Sequence, residues 1–346
     1  MWKTVLTQRY GFELPFVSAG MGFCALPELT AAVSNAGGLG VLGVSPAPAP
    51  AMSEMVRAVK RMTTRPFGVD LLIAETALGP ATTEEHIEIC IAERIPVAVF
   101  FWALPPSHWI ERLHGAGTRI WMQVGSVQAA RAAAAAGMDA IIAQGSEGGG
   151  HNRSSAGLLA LLPAVVDAVA PLPVLAAGGI ADGRGVAAAL ALGAEAVWVG
   201  TRLLASTEAH AHADYKQRVV AAGCDDVVRT RIFGSEWPDE PMNVLANRVV
   251  REWNGQYAKT PPQPRPPQFV GRTTLGNQPY AMPMFSAIPP TPETTGDLEE
   301  MCLPAGSGVG LCRRIMPAAE IVAEMMAEAQ RVISARLTGF LSPLKS

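Results

Sequence analysis

The sequence is poor in charge. Lys and Arg number 27 and Asp and Glu 30, together 16% of 346 residues, for a net charge of −3 at pH 7. Such a surface gives a polyanion little to hold and excludes a nucleic-acid-coating role. Cysteine is sparse as well. Cys24, Cys90, Cys224, Cys302 and Cys312 are scattered, odd in number and free of any CxxC pair. That pattern argues against a disulfide framework and against a structural zinc site. No apolar run approaches the roughly 18–20 residues of a membrane span. The opening segment MWKTVLTQRYGFELPF lacks the long apolar stretch and small-residue cleavage site of a secretory signal. The expectation is a soluble, cytoplasmic protein with neither a membrane nor a nucleic acid as partner; a homodimer is left open.

What is plentiful is apolar and turn-forming: 49% hydrophobic residues, 34 Gly and 28 Pro. Short apolar runs alternate with helix-like stretches as far as residue 222. Strands are predicted near Phe16–Ala19, Gly40–Gly43, Phe67–Ile73, Val97–Trp102, Ile120–Val124, Ala140–Gln144, Val174–Ala177 and Ala196–Val199. Helices are predicted near 27–36, 51–63, 83–93, 107–115, 126–136, 157–169, 184–192 and 206–222. The strands read as continuous apolar runs, as expected when both faces of a sheet are covered. Eight such units indicate an α/β protein, a closed (β/α)8 TIM barrel over residues 1–223 rather than an open sheet.

Residues 224–300 break the rhythm with Pro261, Pro262, Pro264, Pro266 and Pro267, then Pro289, Pro290 and Pro292. Asn243–Trp253 reads as one helix. The stretch is either a variable surface excursion or a cap over the barrel mouth. Its Phe233, Trp237, Trp253, Tyr257, Phe269, Tyr280 and Phe285 suit the cap. Residues 301–346 return to regularity as a C-terminal loop and helix. Pro317–Leu337 carries Pro at a first helical position, Glu320 in the first turn, and apolar Val322, Met325, Ala329, Val332 and Leu337 to pack back on the barrel.

In such a barrel the ligand sits at the C-terminal ends of the strands. Glycines and polar residues gather there: Gly20-Met21-Gly22, Asp70, Phe101-Trp102, Gln123, Gln144–His151, Gly178-Gly179-Ile180 and Gly200-Thr201-Arg202. Bare backbone after strands seven and eight suits a phosphate group, although each pair alone reads equally as a tight βα turn. His151 follows three glycines. A neutral imidazole there suits proton abstraction, while the plain alternative is a surface-loop histidine bonded to its own turn. His86, His108 and His114 read as surface residues. His210 and His212 form an HxH whose members face apart on a helix, so no metal site is expected. Gly38–Gly43 matches GxGxxG but follows a helix and lies in a strand, the wrong context for a dinucleotide. Cys24 has no assignable His partner and reads as a buried thiol.

These pieces resemble the nitronate monooxygenase family, once called 2-nitropropane dioxygenases, which are FMN-dependent barrels. The resemblance rests on Met21-Gly22, Pro27-Glu28-Leu29, SNAGGLGVL at 34–42, PFGVD at 66–70, AQGSEGGGH at 143–151, AGGIADG at 177–183, VGTR at 199–202, AGSGVGL at 305–311 and PAAEIV at 317–322. It implies FMN as cofactor, an alkyl nitronate and O2 as substrates, and a carbonyl compound and nitrite as products. By the same resemblance His151 looks like the catalytic base. Met21, Gly22, Asp70, Gln123, Gln144 and Gly149 match the flavin's surroundings, and Gly178, Gly179, Trp198, Val199, Gly200 and Thr201 the phosphate site. The family also holds barrels that reduce a quinone or an enoyl thioester with NADH or NADPH, which leaves FMN-dependent reduction as the alternative activity. A barrel without flavin that binds a phosphorylated metabolite is a third reading. Two departures bear on redox tuning: Asp70 stands where the family usually has Asn, and Ser307 where it often has Gln. A carboxylate at 70 lacks the amide's NH2 donor and disfavours an anionic reduced flavin.

Overall fold

The computed structural model describes residues 2–339 other than 46, 258, 263, 276, 277 and 338. Eight parallel strands form one sheet: β1 (Phe16–Ser18), β2 (Gly40–Gly43), β3 (Phe67–Leu72), β4 (Val97–Phe101), β5 (Arg119–Val124), β6 (Ala140–Gln144), β7 (Val174–Ala177) and β8 (Ala196–Val199). Their spatial order is β1-β8-β7-β6-β5-β4-β3-β2. The ring closes where Leu39 N donates to Phe16 O (2.9 Å) and Ser18 N to Leu39 O (3.0 Å). The fold is a (β/α)8 TIM barrel.

Side-chain parity sorts the strand residues into two layers. Val17, Val41, Val97, Val99, Trp121, Ile142, Leu175 and Ala196 pack together inside the ring. Helix α1 (Val5–Tyr10) covers the N-terminal strand ends. Leu6 joins the interior, and the Tyr10 ring meets Trp121 edge-on at 5.1 Å. On the outside, Phe16, Leu42, Val69, Phe100, Met122, Ile141, Ala176 and Val199 meet the helical layer. That layer is α2 (Pro27–Asn35), α3 (Ala49–Met62), α4 (Glu84–Ala92), α5 (Ser107–Gly115), α6 (Val127–Ala135), α7 (Leu158–Val169) and α8 (Gly183–Ala191). Helix starts follow the sequence chemistry. Ser126 accepts from Ala129 N at α6, and Asp182 accepts from Arg184 N and Gly185 N at α8.

The eighth helix differs from the expectation of one element over 206–222. A separate short α9 (Thr201–Leu204) precedes that stretch, of which only α10 (Ala213–Ala221) is helical. The intervening backbone bonds elsewhere: Thr207 N donates to Met316 O (3.1 Å) and His210 N to Cys24 O (3.0 Å). His212 then caps α10 by accepting from Asp214 N, and His210 pairs with Glu293 (3.1 Å). His86 also differs from its expected surface place. It is 3% exposed, because Nε2 lies 2.9 Å from the Ala47 carbonyl and Nδ1 2.9 Å from Thr83 Oγ1.

Residues 224–300 hold more strand than expected. Met242–Leu245 is a fully buried strand, not the start of a helix, and it pairs with Val227–Thr230. The helix is α11 (Arg248–Trp253) alone, because Asn247 takes the N-cap and accepts from Val250 N (3.3 Å). Phe269–Leu275 and Gln278–Pro283 form an antiparallel pair. At the C-terminus α12 (Ala318–Arg331) begins one residue after Pro317, passes into a π-helical turn (Val332–Leu337) and packs on α2 and α8. The Leu337 side chain and residues 340–346 lie outside the described residues. Among the described residues no helix is long and apolar enough to cross a membrane.

Candidate active site

The C-terminal strand ends open into a cavity of about 310 Å³. Period-2 alternation that fills the lower ring with Val99, Trp121 and Ile142 carries Asp70, Gln123 and Gln144 inward at the top. The cavity brings together Met21, Gly22, Asp70, Gln123, Gln144, Gly149, His151, Gly178, Gly179, Trp198, Gly200 and Thr201. Val199 is not among them. Its parity is opposite to that of Trp198, and its side chain packs outward against the helices. Cys24 lines the cavity, but burial pushes its thiol up to about 12, the condition of an unreactive thiol. Among the described residues no group of three or more His, Cys, Asp or Glu is placed to hold a metal.

Two adjacent strand ends offer bare backbone. Gly178 and Gly179, after β7, take φ of 105° and 70°, values that a side chain rarely adopts. A Cβ on Gly178 would stand 3.0 Å from Gly148 N. After β8, Gly200 leads into α9, and Thr201 Oγ1 accepts from Gly306 N (3.0 Å).

The loop from Gly145 to His151 is held from several sides. Asn152 Nδ2 donates to the carbonyls of Gly145 (2.9 Å) and Gly148 (3.1 Å). Asn243 Nδ2 donates to those of Ser146 (2.8 Å) and Gly148 (2.6 Å). Glu147 turns away from the cavity and accepts from Leu158 N at the start of α7 (2.9 Å). Gly150–His151 is itself a short strand that pairs with Met242–Asn243. The Pro-rich excursion therefore fixes the backbone of His151. Neither Asn152 nor Asn243 stands out in the sequence. Asn152 directly follows the glycine loop, but Asn243 lies about ninety residues away.

The His151 ring sits between two indoles. Its centroid is 4.2 Å from that of Trp237 and 6.0 Å from that of Trp102. The residue is half-buried, yet Nε2 is sealed from solvent and has no hydrogen-bond partner. Burial pushes its pKa down to about 3, so the imidazole is neutral at physiological pH. Trp102 is held in the left-handed region (φ 86°), with Arg153 stacked on its ring at 3.9 Å and donating to its carbonyl at 3.2 Å. Strained backbone of this kind gathers at sites rather than in plain scaffold.

Asp70 lies against Gly20, where a Cβ would come within 2.2 Å of the Asp70 Cβ. Burial pushes its carboxyl up to about 8. In its protonated form it offers an O–H donor, which a bare carboxylate lacks.

Comparison with known proteins agrees with this architecture. A profile of the nitronate monooxygenase family matches residues 3–328. A hydroxy-methyl-oxo-octahydroindene-carboxyl-CoA dehydrogenase of Mycobacterium tuberculosis is 40% identical over 253 residues, which is 72% of this chain and 68% of that protein. A Staphylococcus aureus protein named "Probable nitronate monooxygenase" is 32% identical over 304 residues, 76% of this chain and 84% of that protein. The structure of a nitroalkane oxidase from Streptomyces ansochromogenes superimposes with a TM-score of 0.77 at 30% identity, covering 96% of this chain and 99% of that one. With the profile spanning nearly its whole length, this chain is an oxidoreductase and belongs to the nitronate monooxygenase family.

Proposed function

We propose that the protein is an FMN-dependent nitronate monooxygenase that oxidises alkyl nitronates with O2 to carbonyl compounds and nitrite. The observation that carries the reading is the unpartnered Nε2 of His151, a residue that lines a cavity ending in bare glycine backbone. The residues fit the cofactor. Gly178, Gly179, Gly200 and Thr201 suit its phosphate. Met21, Gly22, Gln123, Gln144, Gly149 and Asp70 line the cavity where its ring would lie, and Trp198 closes the floor. A flavin held there supplies electron acceptance and reaction with O2, which protein side chains lack.

The chain's own part is proton handling and exclusion of water. In the neutral imidazole Nε2 accepts the α-proton of a nitroalkane, turning it into the nitronate. Burial alone makes this a weak base. The nitronate anion formed beside it offsets the cost of the imidazolium. Trp102 and Trp237 keep the pair dry, which strengthens that attraction.

A second reading rests on one observation. The mycobacterial relative is named for a carboxyl-CoA compound. That name makes a CoA thioester the competing substrate class, and reduction of an enoyl thioester or a quinone by NADH or NADPH on the same flavin is the competing activity to test. Anaerobic mixing separates the two. An alkyl nitronate is expected to bleach the visible absorbance rapidly, and NADH and NADPH to leave it unchanged. Bleaching by a nicotinamide, with none by nitronate, would establish the reductase instead.

A further inference from the structure

Glu236 plays no part in the chemistry above, yet it is 7% exposed and lines the cavity. Its Oε1 accepts from Tyr280 Oη (2.8 Å) and Ser286 Oγ (2.7 Å), and its Oε2 from Ala287 N (2.7 Å). Its backbone carbonyl accepts from Ala77 N (2.7 Å). These donors come from the strand Gln278–Pro283, the segment after it, and the loop that follows β3. Burying a carboxyl group is costly unless its lone pairs are well met, so a three-donor arrangement tolerates little displacement. Burial, aided by Glu236 itself, raises the pKa of the Tyr280 hydroxyl and keeps it a donor.

The next residue in the chain is Trp237, 9% exposed, whose ring lies 4.2 Å from that of His151 and 4.5 Å from that of Trp102. Trp102 is tied in turn by its Nε1, which donates to Glu240 Oε1 at 3.2 Å. One short loop thus carries both the carboxyl knot and the indole that covers the imidazole.

We propose that Glu236 is a positioning residue. By gathering Tyr280, Ser286 and Ala287 its carboxylate ties the loop around residue 236 to the far part of the same excursion, and so holds Trp237 against His151. The Glu236–Trp237 pair thereby sets access to Nε2 and limits the width of substrates that reach it. The part about substrate width rests on the reading of His151 as the base; the shielding of the ring does not.

The test is acylation of the full-length protein, with its native cofactor content, by diethyl pyrocarbonate. Labelling is read peptide by peptide, with exposed His108 as internal reference. In the unmodified protein His151 is expected to label about tenfold more slowly than His108, because reaction requires the indoles to open. Trp237→Ala is expected to raise the His151 rate by about tenfold because the covering ring is gone, and Glu236→Ala by about tenfold through the loss of one strong set of hydrogen bonds. Glu236→Gln keeps an oxygen for the two hydroxyls but turns an NH2 toward Ala287 N, so it should restore most of the protection. If Glu236→Ala does not accumulate as folded protein, Tyr280→Phe carries the test with a rise of about threefold. Unchanged His151 labelling in a folded Glu236→Ala or Tyr280→Phe protein overturns the proposal. A raised rate in these variants, with the unmodified protein itself inactive on every nitroalkane, sustains the clamp and defeats the base assignment. In an active enzyme, Glu236→Ala is expected to gain on branched nitroalkanes relative to nitroethane.

Discussion

His151→Ala is expected to lower turnover of a neutral nitroalkane by about 10²–10⁴-fold, the worth of a positioned general base. Turnover of the preformed nitronate should stay within about threefold, because that substrate has already lost its proton. The contrast isolates proton transfer from binding, and equal losses on both substrates would remove the base role. The pH dependence carries a sign. Burial lowers the imidazole pKa to about 3, so its basic form persists well below the ordinary histidine range. The kcat/KM of the unmodified enzyme on a neutral nitroalkane should therefore show no fall from this group as pH drops from 8 to 5. A limb near the ordinary value of about 6.5 would mean that the ring is wetter than the indole contacts indicate.

Gly178→Ala is expected to weaken FMN binding by about 10–100-fold, from backbone strain at a residue with positive φ. Gly178 has φ of 105°, and the added Cβ would stand 3.0 Å from Gly148 N. The substitution strains one of the two bare strand ends and presses on the glycine loop behind it. Fluorescence titration of the flavin-free protein with FMN measures the effect. An unchanged Kd would place the phosphate elsewhere.

Much of this arrangement was legible in the sequence because it is local. A strand that ends in glycine, a polar residue or an aromatic pair is visible in the chain, and seven such junctions mark the rim of the barrel. Strand parity could have gone further. Trp198 and Val199 are neighbours, so only one can point inward, and that argument alone removes Val199 from the cavity. Other features had no local signature. Asn243 reads as helical from its neighbours, yet it lies in a strand that pairs with Gly150 and donates to the glycine loop. Trp237 was one aromatic among seven until the excursion folded back to set it on His151. Asp70 packs against Gly20, fifty residues away, and the burial that raises its carboxyl pKa is set by the assembled cavity rather than by its own strand. His86 looked like a helix-surface residue because its partner, the Ala47 carbonyl, comes from a different βα unit.

The central claim is that the cavity at the strand ends holds a flavin beneath His151. It is tested most directly by the visible absorption spectrum of the purified protein, together with the mass of any cofactor released on denaturation. The account predicts the two-banded spectrum of an oxidised flavin and release of FMN at close to one per chain. A colourless protein that takes up no FMN on reconstitution would contradict it.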